Sequence, residues 1–180
     1  MRRFGIFAAL LLFATGARAQ SVQGVHPDAT PLQVGVGFTF LSFHEVPANT
    51  LNNAGFTTSV LYRRDRMGLE GELTDALGFQ NGSNSLVLFI GGGPRFYMPD
   101  FGLFRPWIHA EIGYSHLSPN ASFGASHALG YKLGGGFDFN PRRSRIGYRV
   151  SADMFGSTFF NTYQISPEIS VGVVVALGHN

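Results

Sequence analysis

The pair His116 and Ser118, two residues apart, has the sharpest chemistry in this chain: an imidazole as general base beside a hydroxyl as nucleophile. Such a pair needs a carboxylate to orient the imidazole, and residues 120–136 contain no acid. A second set is acidic: Glu70, Glu72, Glu111, Asp138 and Asp153. Paired carboxylates drive glycoside hydrolysis. Here, however, Arg63, Arg95, Lys132 and Arg149 recur at matching positions, so a network of buried ion pairs is the expected role. Histidines form the third set. His44, His116 and His127 fall near the same strand ends, yet no His-x-His or His/Asp cluster has ligand spacing. No metal site and no cofactor are expected. Gly91-Gly92-Gly93 and Gly134-Gly135-Gly136 sit inside extended segments rather than before a helix, so they are not phosphate loops.

The elements that must position these residues are strands. After Pro31 no stretch has a helical apolar period. Alternation recurs instead, in runs of about ten residues broken by polar or Gly/Pro/Asn-rich turns. Strands are expected at 32–44, 54–63, 67–75, 85–97, 105–117, 128–139, 146–155 and 163–177. In the first, Leu32, Val34, Val36, Phe38 and Phe40 share one face, while Gln33, Gly35, Gly37 and Thr39 share the other. In the fifth, Ile108, Ala110, Ile112 and Tyr114 oppose Trp107, His109, Glu111 and Gly113. In the last, Ile169, Val171, Val173, Val175 and Leu177 oppose Glu168, Ser170 and Gly172.

Composition decides which face is wet. The polar face is rich in glycine and carries charges of both signs, which suits a narrow lumen better than a solvated exterior. The apolar face places Tyr62, Phe96, Phe137, Phe139 and Tyr148 beside one set of turns, as an aromatic girdle at a membrane interface would be. Turns 64–66, 98–104 and 140–145 on that side are shorter on average than loops 45–53, 76–84, 118–127 and 156–162 opposite, which fits short periplasmic turns and longer outer loops. The fold class is therefore all-β: an eight-stranded antiparallel up-and-down transmembrane β-barrel.

The chain has 180 residues, 13% of them charged, with no cysteine and one lysine. Disulfide scaffolds and cysteine nucleophiles are excluded together. Residues 1–19 read as a signal peptide: Met1-Arg2-Arg3, an apolar stretch 4–16, then Ala17-Arg18-Ala19 as a cleavage site. Its removal leaves ten basic against eleven acidic residues, so the balance falls from +2 to −1 and gives no support for binding nucleic acid. Residues 20–31 read as a coil, with Pro27 and Pro31, and 32–180 as the barrel domain.

Three strands carry a family resemblance. Arg105-Pro106-Trp107-Ile108-His109-Ala110 with Gly113-Tyr114-Ser115-His116, then Leu133-Gly134-Gly135-Gly136-Phe137-Asp138, then Arg149-Val150-Ser151-Ala152-Asp153, resemble strand motifs of OmpA-like outer-membrane β-barrel proteins. The resemblance implies the outer-membrane barrel and says little about activity. Weighed with the residues above, the expected protein is a monomeric, non-enzymatic one of a Gram-negative outer membrane, in contact with lipid and lipopolysaccharide, with a structural or surface-interaction role. Arg63, Glu70, Glu72, Arg95, Glu111, Lys132, Asp138, Arg149 and Asp153 would plug the lumen with charge. An extracellular partner would meet the outer loops, where Phe123, Phe159 and Phe160 are candidate contacts. One alternative is a porin-like narrow pore or a conduit for small apolar solutes. Another follows from His116-Leu117-Ser118, which resembles the His-x-Ser of PagL-type lipid A deacylases and would make the chain an acyl hydrolase.

Overall fold

A period-two pattern with β-branched and aromatic residues on one face can satisfy its backbone only by pairing, and in lipid it can do so only by closing on itself. A computed structural model shows that closure; it describes residues 32–45, 49–80, 83–118, 124–139 and 145–177. The strands are β1 (Leu32–Glu45), β2 (Asn49–Arg64), β3 (Met67–Gln80), β4 (Ser83–Tyr97), β5 (Phe104–Ser118), β6 (Ser126–Phe139), β7 (Ile146–Ser157) and β8 (Gln164–Leu177). Each pairs antiparallel with its neighbour in sequence, and β1 pairs with β8 from Leu32↔Leu177 to Leu41↔Glu168, so the sheet has no free edge. The expected signal peptide and coil lie outside the described residues.

Burial is inside out relative to a soluble protein. Leu69 is 67% exposed while its neighbour Glu70 is 2% exposed, and Lys132 is 1% exposed. Val36, Phe38, Ile108, Ile112, Leu133 and Val171 all point outward. A water-soluble barrel would reverse this pattern; an outward apolar band with a polar interior belongs in a bilayer.

The girdle residues follow from register. Leu32 pairs with Tyr62, Met67 with Phe96, and Phe139 with Tyr148, all near the end where β1 begins and β8 ends, here called the terminus end. There β2 turns into β3 through Asp65 and Arg66, with Asp65 at φ 55°, a left-handed conformation that aspartate tolerates. Arg63 Nε donates to the Asp65 carbonyl at 2.8 Å.

Two of the expected outer loops are corrected. The ladder between β1 and β2 runs on to Glu45↔Asn49, and that between β3 and β4 to Gln80↔Ser83. Most of 45–53 and 76–84 is therefore strand. The reason is a change of environment along each strand. Beyond Phe40, the apolar residues of β1 are inward: Leu41 and Phe43 are buried in a cluster with Ala76, Val87, Phe89, Leu117, Phe155 and Phe159. Outward positions at this height need not be apolar, so the hydropathy alternation is lost while hydrogen-bonded pairing continues.

That cluster caps the lumen at the end opposite the termini. Leu61, Tyr97 and Trp107 form a smaller cluster at the terminus end. Glycine lets large rings lie across the narrow bore: a Cβ at Gly91 would stand 2.3 Å from Phe89 Cζ, and one at Gly136 would stand 2.9 Å from Trp107 Cζ2.

Candidate functional site

Between the two apolar clusters lies a layer of charge, built by the inward positions of six strands. β3 supplies Glu70 and Glu72, β4 Arg95, β5 His109 and Glu111, β6 Lys132 and Asp138, β7 Arg149 and Asp153, and β8 Glu168. Arg95 Nη2 donates to Glu70 Oε1 at 2.5 Å, and its guanidinium lies 3.6 Å from the centre of the Trp107 ring. Arg149 binds Asp138 through two parallel bonds and comes within 3.5 Å of Glu70. Asp138 also accepts from Trp107 Nε1 at 3.1 Å and from the Tyr97 hydroxyl at 3.3 Å. These bonds satisfy the carboxylate from several sides, which a buried charge requires.

Lys132 centres a second group. Its Nζ donates to Glu72 Oε1 and Glu168 Oε1, each at 2.6 Å, and to Thr74 Oγ1 at 2.9 Å. From Thr74 a hydroxyl chain crosses to Thr57, Thr39 and Ser170 at 2.8, 2.5 and 2.7 Å, tying β3 to β8 around the barrel.

His109 joins the groups. Its Nδ1 lies 3.3 Å from Glu70 Oε2 and 3.3 Å from Glu111 Oε1, and its Nε2 lies 2.7 Å from Asp153 Oδ1. Glu70, His109 and Glu111 bring ligand-type atoms within 4.8 Å of one another. Glu70 is already engaged by Arg95, and His109 by Asp153. One cavity in this layer, of about 30 Å³, is bordered by Thr57, Ser59, Glu72, Arg95, Trp107 and Arg149. It has room for a water molecule or two but not for a sugar ring.

Eight of the nine charges singled out from the sequence have their side chains in this layer. Arg63 sits apart at the terminus end, its guanidinium 4.4 Å from the centre of the Tyr97 ring. Sequence reasoning left out Glu168 and His109. Both stand on the wet faces of their strands, and face membership is the signal that finds them. With them, the layer holds six carboxylates against Arg95, Lys132, Arg149 and one histidine.

At the opposite end, the side chains of the His-x-Ser pair point outward, away from the lumen. His116 stands directly across from His127 in the β5–β6 register. Its Nδ1 lies 3.2 Å from His127 Nδ1. No carboxylate touches His116 among the described residues. Of the candidate loop contacts, Phe159 is corrected: it is 0% exposed, packed edge-on against Phe43 at 6.0 Å between ring centres. Phe160, at φ 54°, is 49% exposed. Phe123 lies outside the described residues, as does the side chain of His44. In the turn between β4 and β5, Arg105 donates to both oxygens of Asp100 at 2.9 Å. Those hydrogen bonds hold the Asp100 carboxyl below its ordinary value.

No family model matches the chain, and no curated protein does. Solved structures do. Neisserial surface protein A has a TM-score of 0.71 and 14% identity over 82% of this chain and 98% of its own. Ail, the attachment invasion locus protein of Yersinia pestis, has a TM-score of 0.54 and 16% identity over 80% of this chain and 96% of its own. The N-terminal β-barrel domain of Pseudomonas aeruginosa OprF has a TM-score of 0.51 and 12% identity over 79% and 96%. The chain has the fold of the eight-stranded outer-membrane β-barrels, in keeping with the OmpA-like motifs of its fifth, sixth and seventh strands.

Proposed function

We propose that this chain is a non-enzymatic, monomeric integral protein of a Gram-negative outer membrane, exported with cleavage after residue 19. Its wall contacts lipid and lipopolysaccharide. Its own charges plug its lumen, and the end opposite the termini carries a structural or surface-interaction role. The observation that supports this reading is burial: apolar side chains line the outside while Arg95, Lys132, Glu70 and Trp107 are buried inside. An interior packed between two apolar clusters leaves loops and rim as the surfaces open to a partner. The names of two structural neighbours, a surface protein and an attachment invasion protein, support a role of that class.

The test has two arms. In planar bilayers, the refolded protein should give no stable ohmic steps; reproducible steps would replace the plug with the narrow-pore alternative. In cells, it should fractionate with the outer membrane and leave the mass of lipid A unchanged. Loss of an acyl chain that depends on Ser118 would establish the hydrolase instead.

A further inference from the structure

The β5–β6 hairpin brings three donor atoms together on the outer wall. His116 and His127 are separated by a loop in sequence but directly opposed in register. Their rings lie 4.7 Å apart between centres, tilted by 33°, with the two Nδ1 atoms 3.2 Å apart. The Tyr114 ring stacks on His127 at 5.7 Å, and its hydroxyl meets the same Nδ1. Two imidazole nitrogens bound at about 2.1 Å to one tetrahedral ion stand about 3.4 Å apart. The observed pair is within a few tenths of an ångström of that chelating distance.

From this geometry we propose a divalent transition-metal site on the outward face of the barrel, with His116 Nδ1 and His127 Nδ1 as ligands and the Tyr114 hydroxyl as third donor. Imidazole nitrogen suits zinc, copper and nickel, whereas calcium and magnesium prefer oxygen. The position suits exchange with solution. On β5 the outward residues Ile108, Ala110 and Ile112 are apolar, and Tyr114, His116 and Ser118 follow them toward the rim. The site thus stands where the lipid-facing band ends. A shallow groove along Gly113, Tyr114, His127, Ala128 and Leu129 gives access. None of the three donors belongs to the lumen network, so occupancy is independent of the plug.

Two probes test it on the full-length protein refolded in micelles. Calorimetry should find one Zn²⁺ bound, weakened on the order of tenfold or more in His116→Ala and in His127→Ala and less in Tyr114→Phe. His44→Ala and His179→Ala should bind as wild type does. The electron paramagnetic resonance spectrum of bound Cu²⁺ should show two coupled nitrogens, falling to one in either rim variant. Heat-modifiable gel mobility reports folding of each variant. Should a variant misfold, Zn²⁺ protection of His116 and His127 from diethyl pyrocarbonate, mapped by mass spectrometry on the wild type, asks the same question. Undiminished Zn²⁺ binding in His127→Ala, or no protection of the pair, overturns the site. An unchanged affinity in Tyr114→Phe removes the tyrosine from it.

Discussion

Arg149 and Asp138 are direct cross-strand partners, and they are joined twice: Nε to Oδ1 at 2.7 Å and Nη2 to Oδ2 at 3.0 Å. The register of β6 on β7 therefore places a planar donor fork against a planar acceptor inside the barrel. Truncating one member of such a pair leaves a buried charge unpaired, which costs about 3–5 kcal/mol. Arg149→Ala should lower unfolding stability in detergent by that order. Arg66→Ala, at an exposed turn, should change it little. Equal urea midpoints for the two variants would remove the ion pair from the stability of the barrel.

Lipid contact should make the outward face intolerant of charge. Val171 faces out from the middle of β8. An arginine near the bilayer midplane of such a barrel costs about 2–4 kcal/mol. Val171→Arg should reduce the folded fraction in lipid vesicles, while Val171→Leu should not, as read by the heat-modifiable band. Similar folding of both variants would mean that this face does not meet lipid.

Adjacent phenylalanines should behave differently. Phe159 is buried against Phe43, whereas Phe160 is half exposed. Emptying a packed aromatic site costs about 3–5 kcal/mol. Phe159→Ala should therefore destabilise the barrel by that order, and Phe160→Ala should leave chemical unfolding near wild type. A reversal of the two would place Phe160 in the cap.

The Asp100–Arg105 clamp predicts a small acid sensitivity outside the membrane. Hydrogen bonds from Arg105 depress the folded-state value of Asp100. The stabilisation is thus present above the ordinary carboxylate value and is lost as pH falls through the depressed one. The difference in unfolding midpoint between wild type and Asp100→Asn should be constant near neutral pH and shrink at acid pH. A difference that does not change with pH would mean that the charge of Asp100 plays no part.

The wall of this protein was legible in its sequence because lipid imposes a period of two. Residues 32–40 read outward and inward without ambiguity, and their faces are those observed. The glycine-rich, two-signed polar face of β3, β5, β6 and β7 likewise marked the lumen from composition alone. Other features depended on tertiary structure. Above the apolar band both faces of a strand meet polar or capped surroundings, so Asn49–Asn53 reads as loop although it pairs with β1. Phe159 looks like an exposed loop aromatic until closure of the barrel places it over Phe43. Partner choice was also invisible: Glu72 and Glu168 are distant in sequence and meet at Lys132. His116 and His127 show no ligand spacing, since the distance that matters runs across a hairpin and is set by register. Periodicity along one strand reports its environment, whereas contacts between strands depend on closure and register, which no single strand encodes.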